Sequence, residues 1–110
     1  MTMYTAKFST ETITRKSNRE YTHAFLLTGP NGEGEGVGFS GSRELAEKAA
    51  RQYGPKSFAN KRVAHVAAWH RKLAKEEGFK SVQAMYDARD AEIADWWSKA
   101  KIEIVEVERA

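Results

Sequence analysis

Cysteine is missing from all 110 residues of the sequence, which excludes disulfides, thiolate nucleophiles, Cys-ligated zinc and iron–sulfur clusters. Proline occurs only twice, which argues against an intrinsically disordered chain. No uninterrupted apolar run approaches the roughly 18 residues that a membrane-spanning helix needs. The opening residues Met1-Thr2-Met3-Tyr4 lack the basic segment and apolar core of a signal peptide. Together these absences lead to the expectation of a soluble, cytoplasmic protein with no membrane association. A surplus of one charge is also lacking, because 18 basic and 15 acidic side chains leave a net charge of +3, too small to imply a polyanionic partner. What is present is a moderate apolar fraction of 41% with three Trp, four Tyr and five Phe. That is too apolar for a disordered chain and fits a single domain spanning residues 1–110.

The charge is distributed unevenly. Residues 61–75 carry five basic and no acidic side chains, whereas residues 76–110 carry five basic and nine acidic ones. Such neighbours either neutralise one another across a helix pair or make a surface with two electrostatic faces.

Period-two alternation marks the N-terminal part. Tyr4, Ala6 and Phe8 followed by Thr10, Thr12 and Thr14 predict a strand over residues 4–15, and Tyr21, His23, Phe25 and Leu27 predict another over 20–28. The polar stretch Arg15-Lys16-Ser17-Asn18-Arg19 between them reads as a hairpin turn. Gly29-Pro30-Asn31-Gly32 predicts a second tight turn, leading into a short strand near Glu35 to Phe39.

Helical spacing follows. A serine cap at Ser40 or Ser42 predicts a helix over 43–53 with Leu45, Ala46, Ala49, Ala50 and Tyr53 on one face, stopped by Gly54-Pro55. A second helix is expected over 57–77 and a third over 81–100, the latter with Val82, Met85, Tyr86, Arg89, Ile93, Trp96 and Trp97 as its stripe and Trp96 as a core anchor. Ile102, Ile104, Val105 and Val107 alternate imperfectly with Glu103, Glu106 and Glu108, as in a half-buried return strand. The order β-β-β-α-α-α-β predicts an α+β fold in which one antiparallel sheet of about four strands is packed on one side by three helices.

Candidate chemistry is sparse. Gly36-Val37-Gly38-Phe39-Ser40-Gly41 matches the spacing of a dinucleotide-binding glycine motif, but Glu33 and Glu35 precede it and no acidic ribose ligand follows about 20 residues on. The glycines therefore read as a flexible hairpin tip. His65 and His70 are five residues apart, about 140° around a helix, and do not share a ligand. His70, aligned with Val66 and Leu73, reads as a hydrogen-bonded core histidine, and His23 alternates with Tyr21 and Phe25 on a strand face. Asp87, Asp90, Glu92 and Asp95 read as solvated helix surface. The expectation is accordingly no catalytic residue, no metal site and no cofactor.

The basic helix carries the strongest signal. Lys61, His65, Trp69 and Lys72 align on one side with Arg62 beside them. An exposed Trp69 is an aromatic anchor ringed by cations that suits a protein hot spot or nucleic-acid contact, whereas a buried one packs under the sheet or on the third helix while the lysines reach past it to solvent. Arg15, Lys16 and Arg19 are expected to extend this partner-binding patch.

The stretch Gly38-Phe39-Ser40-Gly41-Ser42-Arg43-Glu44-Leu45-Ala46-Glu47-Lys48-Ala49-Ala50-Arg51 resembles the strand, serine cap and alanine-rich helix of small phage and prophage accessory proteins, a group that includes anti-CRISPR and other counter-defence inhibitors. The resemblance implies a phage-type inhibitor that occupies a surface of a host protein or ribonucleoprotein machine. The positive net charge departs from the acidic nucleic-acid mimics of that group. The alternative expectation is a DNA- or RNA-binding protein that uses helix 61–75 directly.

Overall fold

The computed structural model describes residues 1–56 and 64–110, with the side chains of 64–67 left aside. Residues 57–63, which include Lys61 and Arg62, lie outside the described residues. The fold is α+β, with three helices and six strands among the described residues in the order β1 (Thr2–Lys7), β2 (Thr12–Ser17), β3 (His23–Thr28), β4 (Gly34–Ser40), α1 (Arg43–Tyr53), α2 (Ala64–Glu76), α3 (Val82–Lys99), β5 (Lys101–Glu106) and β6 (Glu108–Arg109). The chain gathers into two compact units, one of residues 1–54 with 99–110 and one of residues 55–98.

The first unit corrects the expectation of one four-stranded sheet. Its strands form two three-stranded antiparallel sheets, β2-β1-β6 and β4-β3-β5. Two causes combine. The alternating run expected over 4–15 is broken at residues 8–11, where Phe8 N–H donates to the Glu11 carbonyl at 2.8 Å, so the run becomes a hairpin in which Thr2 faces Ser17 and Lys7 faces Thr12. The C-terminal strand then serves both sheets in turn. Its first stretch pairs with β3, from Thr28↔Lys101 to His23↔Glu106, and its last two residues pair with β1. Between the two stretches Val107 N–H donates to the Thr22 carbonyl.

Ala24 to Leu27 of β3 are all buried because both faces of their sheet are covered. On one face Ala24 and Leu26 pack with Ala6 and Phe8, joined by half-buried Ile13, Phe39, Val105 and Val107. Phe25 and Leu27 take the opposite face by strand alternation, where the Phe25 ring lies 5.6 Å from that of Tyr53 on α1. The two covered faces also explain the imperfect alternation at Ile104 and Val105: Ile104 pairs with Phe25 and Val105 with Ala24, so each fills a different layer.

Helix α1 begins and ends as its sequence predicts. Ser42 Oγ accepts from Leu45 N–H at 3.1 Å, and Gly54 closes the helix. Its inner face is made of Ala46 and Ala50, whereas Leu45, expected on that face, is 55% exposed. The glycines of β4 are not a flexible tip. A Cβ on Gly36 would meet the Tyr53 ring at 2.8 Å and one on Gly38 would meet the Phe25 ring at 2.7 Å, so both positions are kept empty for aromatic rings.

In the second unit α2 and α3 share a small apolar core of their own. Ala74, Met85 and Tyr86 are buried there, with Leu73, Phe79 and Val82 packed around them. Gly78, at φ +82°, ends α2. Phe79 N–H donates to the Ala74 carbonyl and Gly78 N–H to the Lys75 carbonyl, a bonding pattern that requires a left-handed residue. Ser81 Oγ then caps α3 by accepting from Ala84 N–H. Trp96 is half-buried and stacks edge-on with Trp97 at 4.9 Å, so it is not the core anchor its place in the stripe predicts. Arg89, expected on the same stripe, instead pairs with Glu77 at 2.7 Å and with Glu92 at 3.5 Å.

Candidate partner-binding surfaces

Helix α2 turns a core face inward and a cationic face outward. His70 is 3% exposed, and its Nδ1 shares a 2.7 Å hydrogen bond with the Tyr86 hydroxyl, so it is the core histidine its apolar neighbours indicate. That bond spans the two helices and fixes the rotation of α2. The rotation places Trp69, the next residue back, in solvent at 56% exposure, its ring tilted on the His70 ring at 5.0 Å. Lys72 follows at i+3 and is exposed, as are Arg71 and Lys75. None of these three cations forms an ion pair among the described residues. The side chain of His65 lies outside what is described, as do Lys61 and Arg62, so of the expected stripe the structure places Trp69 and Lys72 together.

Arg15, Lys16 and Arg19 do not form one turn. Arg15 and Lys16 are consecutive on β2 and therefore project from opposite faces. Lys16 pairs with Met3, and Arg15 pairs with Tyr4. Arg19 sits in the following loop, whose course is held by two bonds: the Tyr4 hydroxyl donates to the Arg19 carbonyl at 2.8 Å, and Ser17 Oγ accepts from Arg19 N–H at 3.0 Å. All three side chains are exposed.

The residue that sequence reading missed is Arg109. It pairs with Tyr4 from the other side, and its guanidinium lies 6.0 Å from the Tyr4 ring centre. No local pattern announces this, because the partners come from opposite ends of the chain.

A shallow cleft of about 740 Å³ opens at the other end of the two sheets, lined by Ser9, Thr10, Glu11, Leu26, Thr28, Lys101 and Glu103 among others. The Glu103 carboxylate accepts from Ser9 N–H at 2.9 Å and from Ser9 Oγ at 2.8 Å, closing the β1–β2 turn onto β5. It therefore has a structural task in the cleft wall. His23 Nδ1 shares a 2.8 Å hydrogen bond with Thr22 Oγ1. Among the described residues no group of three His, Asp or Glu side chains could hold a metal ion, and no helix is long and apolar enough to cross a membrane. Comparison with protein-family models, with curated proteins and with solved structures gave no significant match to this chain.

Proposed function

We propose that the protein is a non-enzymatic binding protein of the kind phages encode to inhibit a host macromolecular machine in the cytoplasm, and that the outward face of α2 anchors it. The observation that carries this reading is the exposed Trp69 with the exposed Lys72 one turn further along the same side of α2, a cation that forms no ion pair among the described residues. A tryptophan left in water gives up most of the burial energy available to its ring, and that energy becomes available when a partner covers it. Tryptophan and arginine dominate interface hot spots for this reason. The phage-type role itself is supported by the resemblance of residues 38–51.

The test uses affinity capture and titration together. Wild-type protein should retain a partner in a fixed molar ratio, and the activity of that partner should fall linearly with added protein until the ratio is reached. Trp69→Ala should weaken capture by about 30-fold, the equivalent of ~2 kcal/mol for a hot-spot truncation, with an unchanged unfolding midpoint. Equal capture by Trp69→Ala refutes the anchor, and inactivation of a molar excess of target refutes the binding-only mechanism.

The exposed Arg71, Lys72 and Lys75 of α2, which form no ion pair among the described residues, favour a second reading, direct nucleic-acid binding by the basic segment 61–75. A Lys61→Glu, Lys72→Glu double variant that binds labelled DNA and RNA as well as wild type does at low salt would eliminate it.

A further inference from the structure

We infer that the sheet β2-β1-β6 carries a second binding surface, an arginine clamp for the phosphodiester backbone of a nucleic acid. It is independent of the α2 reading, because it stands on residues of the other compact unit. Arg15 and Arg109 flank Tyr4 from the two neighbouring strands, each directly opposite it in register. Directly opposed residues of antiparallel strands project to the same side, so both arginines share the face of Tyr4. Their guanidiniums lie over aromatic rings, Arg15 at 5.7 Å from the Tyr21 ring centre and Arg109 at 6.0 Å from that of Tyr4. The two rings in turn meet edge-on at 5.2 Å. The Arg19 backbone is held at the same place by the Tyr4 hydroxyl, and its side chain is exposed.

The arrangement favours phosphate for three reasons. A guanidinium drawn towards a ring face keeps its in-plane N–H donors available, which suits bidentate contact with phosphate oxygens. No carboxylate occupies those donors: Arg15, Arg19 and Arg109 form no ion pair among the described residues. Glu108, the acidic neighbour of Arg109, pairs with Thr5 in register and so faces the other side, where Lys7 holds it at 3.2 Å. The third reason is spacing. Arg15 and Arg109 stand two strand intervals apart, about 10 Å at the backbone, a separation that suits neighbouring charges along a chain. Tyr4 is 1% exposed, and half-buried Tyr21 has its ring engaged by Tyr4, Phe39 and the Arg15 guanidinium, so neither offers a fully open face for base stacking. Recognition is therefore of the backbone and indifferent to sequence.

Titration of a fluorescent 20-nucleotide single strand and of a 20-base-pair duplex, each over a range of salt, tests the proposal. Each phosphate contact contributes about 0.7 to the slope of log affinity against log salt for a single strand and about 0.9 for a duplex. Arg15→Ala with Arg109→Ala should therefore flatten the slope by about 1.4 with the single strand or about 1.8 with the duplex, and the form with the tighter wild-type binding identifies the source of the backbone. Lys72→Ala with Lys75→Ala on α2 removes the same charge elsewhere and should leave the Arg15 and Arg109 contribution in place. Arg15→Lys with Arg109→Lys retains the charge and the fold but loses the planar fork, and should weaken binding several-fold. The proposal is overturned by absence of binding at low salt, by an unchanged slope in the alanine pair, by equal affinity in the lysine pair, or by polyglutamate displacing the oligonucleotide at equal charge concentration, which would show an acidic protein surface to be the partner. Failure here with intact Trp69-dependent capture would leave the α2 reading standing.

Discussion

Gly38 shows how much a single missing side chain can decide. In β4 it stands opposite Phe25, and a methyl group there would come within 2.7 Å of the ring that fills the space beneath α1. The backbone has no need of glycine for its dihedral angles at this position, since positive φ among the glycines is confined to Gly32 and Gly78. The requirement is volume. Gly38→Ala should therefore destabilise the protein by about 1–3 kcal/mol through overpacking, measured by urea denaturation, whereas Gly34→Ala, where a Cβ meets nothing within 4 Å, should change the midpoint far less. Equal effects would show that chain flexibility and not ring packing sets the cost. In the sequence these glycines resemble a phosphate-binding motif or a flexible tip, and nothing local separates either from a floor for aromatic rings.

Elements divide into those whose ends are written locally and those whose neighbours decide them. α1 and α3 start at serines that cap them, and α2 stops at a glycine whose left-handed conformation permits two closing hydrogen bonds. Gly78→Ala should cost about 1–2 kcal/mol because an L side chain at φ +82° meets its own backbone, and thermal unfolding followed by the helical signal measures it; an unchanged midpoint would mean that the α2 end relaxes freely. The cationic residues 15–19 illustrate the opposite case. Their polarity reads as a turn, but the actual turn lies at residues 8–11, where Phe8 is buried and only Ser9 and Thr10 signal a reversal. Once Arg15 and Lys16 belong to a strand, alternation separates them, and one faces Tyr4 while the other faces Met3. Trp69 and His70 are adjacent on α2 yet differ from 56% to 3% exposure, because the partner helix supplies the Tyr86 hydroxyl on one side only.

At the scale of the molecule, the C-terminal strand ties the first unit together by pairing with β3 and then with β1. Deleting residues 107–110 leaves β1 and β2 as a two-stranded ribbon, a structure of marginal stability in water, held only by the packing of Ala6 and Phe8 and the Ser9–Glu103 bonds. Amide exchange in residues 2–7 and 12–17 should then accelerate at least tenfold while Ala24 to Leu27 remain protected; retained protection throughout would show that the packing of Ala6 and Phe8 suffices. The sequence by itself determined the α+β class, the serine caps of α1 and α3, the glycine stop of α2, the return strand and the core role of His70, because each follows from periodicity or from hydrogen bonds within a few residues. Only the tertiary structure decided the split into two sheets, the exposure of Trp69 and the meeting of Arg15 and Arg109 across Tyr4. Those outcomes depend on which strand edge the last residues reach and on which helix face finds a partner, and such choices are made by contacts between segments far apart in the chain.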